Sequence, residues 1–397
     1  MTTPDAAGRG APSVFLVAAE ESGDRLGAGL MRALTSARQA VQFTGVGGRE
    51  MTVEGLRTLV PIEDFALIGL SAIPRRLPRI LRYIRKTADA VVAARPDVLV
   101  IIDSPDFTHR VARRVRAKSP AIPIVDYVSP SVWAWRPGRA RAMRAYVDHL
   151  LALLPFEPAV HARLGGPPCT YVGHPLIEQI SELRPSAAEA ARRLADPPIL
   201  LVLPGSRSGE IRRLLGDFGE AVRLVHARRP DLNVVLPTIP RFAAQLGEAT
   251  AQWSVRPRIV IAPEDKRAAF RIARAALAKS GTVTLELALA AVPMVTAYKV
   301  STIEEIVGRL FLTVPSVILA NLVLGENAVP EFLQRDCTPR NLAEALLPLL
   351  GDTPERRRQI DAFGRLDDIM QIGKLEPSRR AAELVLSLAS PRPARSM

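Results

Sequence analysis

An aspartate closes an otherwise apolar run: DVLVIID (97–103) leads straight into DSPDF (103–107). A carboxylate at the end of a buried strand is expensive to hide, so Asp103 is expected to face a cleft or a fixed donor, where it could act as a general base toward a hydroxyl. Asp106, just after Pro105, has the simpler reading of a helix cap. A second stretch, LPGSRSGEIRRLL (203–215), passes from an apolar segment through Pro-Gly-Ser-Arg into a helical pattern. The unpaired N–H groups of such a helix start, with Ser206 and the forked donor of Arg207, suit a diphosphate. Glu210 could cap that helix or touch a sugar hydroxyl, and an arginine in an ordinary surface loop is the alternative. In AKSGTVTLELALAAVPMV (278–295), Ser280, Gly281 and Thr282 precede another helix start, and Glu286 lies one turn on among Leu285, Leu287 and Leu289. An acid in that company needs a partner; ribose hydroxyls would supply one, and a plain helix-start acid is the alternative. Together these two loops suggest a nucleotide diphosphate held without a P-loop.

Three further stretches carry chemistry of recognition. In AAEESGDRLGAGLMRAL (18–34), Ser22, Gly23 and Asp24 open a helix whose Gly27, Ala28 and Gly29 permit close backbone approach, unless they are only a helix cap and tight packing. YVSPSVWAWRPGRARAM (127–143) holds Trp133 and Trp135, two of the chain's three tryptophans, ahead of Arg136, Arg139, Arg141 and Arg144. In an extended loop both indoles would point to one side, lining an acceptor cleft or inserting at a membrane interface; two core tryptophans wedging the loop are the alternative. ALIGLSAIPRRLPRILRYIRK (66–86) sets Ile68 and Leu70 against Arg75, Arg76 and Arg79 in a basic amphipathic pattern whose start Pro74 and Pro78 break. Near an anionic leaflet each such residue contributes roughly 1 kcal/mol. A solvated helix face is the alternative.

Elements must bring these loops together. SVFLVAA (13–19), DVLVIID, IPIVDYV (122–128) and HLLALLP (149–155) have the continuous apolar character of buried parallel strands. PILLVLP (198–204), LNVVLP (232–237), RIVIA (258–262), AALAKS (275–280) and PMVTAYKV (293–300) repeat the arrangement. At 397 residues, two domains are expected. The reading is α/β, two doubly wound Rossmann-like domains facing a cleft, with ligands outside the carboxyl ends of the strands. Residues 1–180 form the first domain, 181–198 a polar, Pro-marked linker, 199–370 the second domain, and 371–397 a helix and tail that could pack back on the first domain or on a partner chain.

A net charge of +13 points to an anionic partner, or to a coding bias toward arginine. Aromatic content of 5%, not interleaved with that charge, argues against nucleic acid. Neither a Walker-type loop nor G-x-G-x-x-G is present, which disfavours an ATPase or a dinucleotide dehydrogenase. Cys169, Cys337 and five scattered histidines form no metal pattern, so no metal and no cofactor are expected. VFLVAA is too short for a signal peptide's apolar region, and the longest uncharged run, Leu310 to Gly325, contains Pro315 and Asn321 and falls short of a membrane span. A cytoplasmic protein with peripheral membrane contact is expected.

From about Val14 to Leu388 the chain resembles the lipid-A-disaccharide synthases. The blocks are E-x-SGD-x-LGAGL (Glu20 to Leu30), RPDV-x(4)-DSPDF (Arg95 to Phe107), YVSPSVWAWR (Tyr127 to Arg136), LPFE (154–157), VGHP (172–175), LPGSR-x-x-EI (203–211), SGT-x-TLE (280–286) and NLVLGENAVPEFLQ (321–334). YVSPSVWAWR is the most specific. The resemblance implies a two-domain B-type glycosyltransferase that joins UDP-2,3-diacylglucosamine to 2,3-diacylglucosamine 1-phosphate, giving the β(1→6) disaccharide 1-phosphate and UDP with inversion. It implies Asp103 as base, Arg207 as the phosphate-side arginine and Glu286 as the nucleotide-side acid, with Asn321 also on the donor. On the acceptor side we place Glu20, Ser22, Gly23, Asp24, Ser129, Trp133, Trp135, Arg136 and His174. The chain departs from the family at Ala72, where Glu is common, and at Glu326 and Asn327, where Arg and Glu are common. A UDP-sugar epimerase would share the architecture and the UDP site, but would need neither the double-Trp loop nor the basic amphipathic segment. The work of such a synthase lies at the cytoplasmic face of the inner membrane, with a homo-oligomer left open.

Overall fold

The computed structural model describes residues 11–38, 40–61, 73–301, 314, 316–374 and 376–389. The chain divides into two compact units: one runs to Pro175 and takes up the chain again at Lys374, and the other is Leu176–Gly373. In the first, β1 (Ser13–Ala18), β2 (Gln42–Gly47), β3 (Arg57–Pro61), β4 (Val98–Ile102), β5 (Ile124–Tyr127), β6 (His149–Ala152) and β7 (Cys169–Tyr171) form a parallel sheet in the order β3-β2-β1-β4-β5-β6-β7. β4 is buried along its whole length, as expected of a strand covered on both faces. Helices Glu21–Ala37 and Pro377–Leu388 cover one face through Leu30, Leu34, Ala381 and Val385. Ile73–Ala94 and Pro105–Lys118 cover the other through Ile84, Val91, Val111 and Val115.

The second unit repeats the scheme. Here β8 (Ile199–Leu203), β9 (Asn233–Pro237), β10 (Arg258–Val260), β11 (Ala275–Lys279), β12 (Met294–Tyr298) and β13 (Glu331–Leu333) pair in parallel as β10-β9-β8-β11-β12-β13. Its core joins Leu200 and Leu277 to Phe218 of helix Ser208–His226 and Leu346 of helix Pro339–Leu349. Each sheet reverses its winding once, between β1 and β4 in the first and between β8 and β11 in the second. Loops diverge at such a switch point and leave a crevice.

Four strands, β2, β3, β7 and β13, were not expected from the apolar runs. β2 reads QFTGVG, polar and broken by glycine, yet Gly45 is what lets it lie beside β1: a Cβ there would stand 1.8 Å from the Leu16 carbonyl oxygen. The expected linker 181–198 is instead folded into the second unit, carrying Ile180–Leu183 and helix Ala187–Leu194. Arg193 fastens it, donating from a buried guanidinium to the carbonyl oxygens of Phe270, Arg271, Ala290 and Ala291 at 2.9–3.1 Å. Ile73–Ala94 also runs through Pro78 rather than starting after it.

Candidate active site

At the first switch point the backbone is forced. Asp103 and Ser104, directly after β4, both take left-handed conformations (φ 53° and 46°), and Val128, directly after β5, has φ 98°. Left-handed backbone is costly for any residue with a Cβ, most of all a β-branched one, and persists where the surroundings over-determine it, typically at functional sites. The Asp103 carboxylate is fixed by two neutral donors, the Ser22 hydroxyl at 3.0 Å and the Ser104 amide at 2.7 Å. Gly23 lies beneath, since a Cβ there would come 3.2 Å from the Ile102 carbonyl oxygen. Ser22, Gly23 and Asp103 are thus brought together. Glu20 is exposed beside them.

Asp24 departs from expectation. Its buried carboxylate accepts from the amides of Gly48, Glu50 and Met51 at 2.8–3.1 Å, which ties the β2 turn to helix Glu21–Ala37 and leaves it out of the crevice. Ser129 is likewise internal, donating to the Pro130 carbonyl oxygen and lying 2.8 Å from His161 Nε2. His174 is half-buried after β7, and loss of hydration lowers it to about 4, so its imidazole is neutral.

The tryptophan loop does not place its indoles side by side. The amides of Ala134 and Trp135 both donate to the Ser131 carbonyl oxygen, so the segment is a turn and the two-residue alternation of a strand does not apply. Trp133 packs edge-on against Phe156 at 5.5 Å and donates its indole N–H to Glu157 at 3.1 Å. Trp135 remains 39% exposed, with the Arg136 guanidinium 4.3 Å from its ring centre and Arg139 at 5.9 Å. Arg139 also reaches Asp106 at 3.5 Å, which joins this loop to the one that carries Asp103. Beneath Trp133, burial pushes Glu157 up to about 7 despite the Leu154 amide donating to it. Asp126, buried 3.1 Å from His109 Nε2, is raised for the same reason. Asp126 sits inside an apolar strand and Glu157 closes the LPFE block, and residue type alone marks neither as a buried acid.

The second switch point opens into a cavity of about 470 Å³ lined by Gly205, Ser206, Arg207, Glu210, Gly281, Thr282 and Glu286. Arg207 is 80% exposed. Arg241 clamps the loop by donating to the Ser206 carbonyl oxygen at 2.8 Å. Glu210 reaches back over its own helix start, accepting from the Ser206 amide at 3.3 Å, and its carboxylate lies 3.0 Å from Lys279 Nζ and 3.5 Å from the Arg207 guanidinium. Glu286 pairs with Lys266 at 2.6 Å. Both lysines line the cavity, and neither had been singled out, although Lys279 ends an apolar strand just as Asp103 does.

Two expected donor contacts are withdrawn. Ser280 is buried and donates to the Val317 carbonyl oxygen. Asn321 is buried with both ends of its amide spent on Val329, closing the loop between them. The helix after Thr282 has only seven residues, Val283–Leu289, so the positive charge on that side comes from lysines rather than from a helix dipole. Among the described residues no cluster of His, Cys, Asp or Glu could hold a metal, and no helix is long and apolar enough to cross a membrane. Ile68 and Leu70 lie outside the described residues, as do the side chains of Arg75 and Arg76. Arg79 is exposed against Tyr83, while Ile80, Leu81 and Ile84 belong to the core of the first unit.

The family described as lipid-A-disaccharide synthetase matches residues 14–385. The chain belongs to the lipid-A-disaccharide synthase family. It is 61% identical to the lipid-A-disaccharide synthase of Rhodopseudomonas palustris (strain HaA2) over 94% of this chain and 96% of that one. It is 62% identical to the enzyme of Nitrobacter hamburgensis over 94% of each. A member of this family is a glycosyltransferase of lipid A disaccharide synthesis. Solved structures share the fold at low identity. An S. aureus MnaA–UDP co-structure superposes with a TM-score of 0.62 at 13% identity, covering 97% of this chain and 100% of that one. The calicheamicin glycosyltransferase CalG4 gives 0.57 at 18%, covering 96% and 98%. The architecture is therefore that of the two-domain B-type glycosyltransferases and related epimerases.

Proposed function

We propose that this synthase transfers 2,3-diacylglucosamine from UDP-2,3-diacylglucosamine to 2,3-diacylglucosamine 1-phosphate in one inverting displacement. The observation that carries the reading is the cavity at the second switch point, where Arg207, Lys266 and Lys279 gather positive charge around a glycine-lined turn without a P-loop. Such a site neutralises a departing diphosphate as the bond to the sugar breaks. Asp103 removes the proton from the attacking hydroxyl; its carboxylate, held by Ser22 and Ser104, is oriented before the acceptor arrives. Because the sugar leaves one oxygen as another arrives on the opposite face, one base is enough.

Both substrates carry acyl chains, so the enzyme works as a peripheral protein at the cytoplasmic face of the inner membrane. Trp135 with Arg136 offers an amphipathic contact for the acceptor or the lipid surface. The basic segment 66–86 adds electrostatic attraction to anionic lipid. Changing Arg75, Arg76 and Arg79 to Ser should weaken binding to anionic vesicles; unchanged binding removes this segment from the account.

The deciding experiment is disaccharide formation from the two substrates in detergent micelles with EDTA, for the wild type and Asp103→Ala. Product from the wild type alone supports the reaction, its independence of metal and the role of Asp103. Activity in both leaves the reaction standing and removes the base. An inactive wild type that still binds UDP overturns the substrates, and incubation with UDP-N-acetylglucosamine alone then tests the epimerase reading that the shared fold raises.

A further inference from the structure

The cavity of the second unit holds an anion of its own. The Glu210 carboxylate occupies a position ringed by the Ser206 amide at 3.3 Å, Lys279 Nζ at 3.0 Å and the Arg207 guanidinium at 3.5 Å. It presses on the turn closely enough that a Cβ on Gly205 would stand 2.5 Å from its Oε2. One backbone N–H, one ammonium and one guanidinium are the donors a phosphate group requires. The three donors differ in freedom. Arg207 is 80% exposed, whereas Lys279 is only 15% exposed, laid over the Tyr298 ring at 5.0 Å with its ammonium beside Gly281. Its position is therefore set before any ligand arrives. Lys279 is also the single charge in β11, AALAK, at the strand end where the winding reverses. A half-buried lysine is costly to leave unpaired, so an empty site needs a resident carboxylate to hold it in place.

The geometry points to Lys279 as a diphosphate-binding residue, with Glu210 as the internal anion that holds it until the nucleotide takes its place. The inference rests on the reading of this cavity as a UDP site and adds an exchange of partners within it. When the diphosphate enters, Lys279, Arg207 and the Ser206 amide pass from the carboxylate to phosphate oxygens, and Glu210 turns toward solvent.

Calorimetric titration with UDP and with uridine tests both parts, on the full chain with its unfolding midpoint measured alongside. Lys279→Met should weaken UDP roughly tenfold to a hundredfold, the loss of one charged hydrogen bond, and leave uridine unchanged. Lys279→Arg should recover most of the UDP affinity. Glu210→Gln keeps an acceptor for the Ser206 amide but removes the competing charge, so UDP should bind more tightly than to the wild type. If Lys279→Met is unstable because Glu210 is left unpaired, Lys279→Met/Glu210→Gln removes both charges and is compared with Glu210→Gln. UDP affinity unaffected by loss of Lys279 in either background overturns the lysine's role. Weaker UDP binding by Glu210→Gln overturns the exchange and leaves Glu210 as a fixed support of the turn. A wild type that binds neither UDP nor uridine instead refutes the UDP reading of the cavity itself.

Discussion

The two units wind their sheets in the same order and place chemistry at the same topological point, yet they hold it by opposite means. At the β1/β4 switch, Asp103 is fixed by backbone strain and two neutral hydrogen bonds. At the β8/β11 switch, Glu210 and Glu286 are fixed by lysines across the cavity. A neutral frame leaves a carboxylate's negative charge available for a proton, as a general base requires. Ion pairs neutralise their acids but keep cations concentrated where a multiply charged ligand can claim them. On the function proposed above, one switch point reacts and the other binds.

That contrast breaks most visibly at Asp103. Asp103→Asn preserves shape and most hydrogen bonding while removing basicity, so turnover should fall about 10²- to 10⁴-fold with UDP affinity unchanged. Equal loss of UDP binding would mean that the two switch points are not separate in function. Arg207→Ala should differ in touching both steps, lowering turnover about 10²- to 10³-fold and weakening UDP as well. An Arg207→Ala protein with normal UDP affinity would limit the arginine to the transition state.

The contrast sharpens at Glu157, whose buried carboxyl, raised from 4.5 to about 7, belongs to the neutral style of the first unit. Between those two values the folded protein keeps a proton that the unfolded chain releases, so stability falls as pH rises through that window. The group's contribution is present in full below 4.5 and lost above 7, with a ceiling of about 3 kcal/mol. Thermal unfolding of the wild type between pH 5 and 8 should therefore lose ground relative to Glu157→Gln. Trp133 fluorescence of the folded protein should titrate near pH 7, because its indole N–H donates to that carboxyl. Parallel unfolding curves for the two proteins would place the Glu157 titration elsewhere.

The sheets were legible in the sequence where strands are buried on both faces, because β4 and β8 have to be apolar throughout. β7 and β13, three residues each at sheet edges, carry too little apolar pattern to be seen. Asp103 was legible because a charge at the end of such a strand demands a reason. Lys279 poses the same question and was passed over, since a lysine reads by default as a solvated end. Asp24 and Asn321 were misread for another cause. Their types fit ligand contacts equally well, and their partners, the amides of Gly48 to Met51 and the backbone of Val329, are brought near only by the folded chain. Residue type shows that a polar group needs a partner; only the fold shows whether backbone has already supplied it.

The smallest effect belongs to the pair of tryptophans, where the neutral frame meets the surface. Trp133 is tied to Glu157 and Phe156, so Trp133→Phe forfeits a hydrogen bond to a buried acid and should cost about 1–2 kcal/mol of stability. Trp135 is exposed and held by stacked arginine, a contact that contributes about 0.5–1 kcal/mol at such a site, so Trp135→Ser should change stability by no more than that. Its consequence should fall on the acceptor or the lipid surface instead. A raised KM for the lipid acceptor with UDP affinity intact is the expected result, read from initial rates in micelles at fixed donor. If Trp135→Ser destabilised the fold as much as Trp133→Phe and left KM alone, both indoles would be parts of one packed loop, and the surface role would pass to Arg136 and its neighbours.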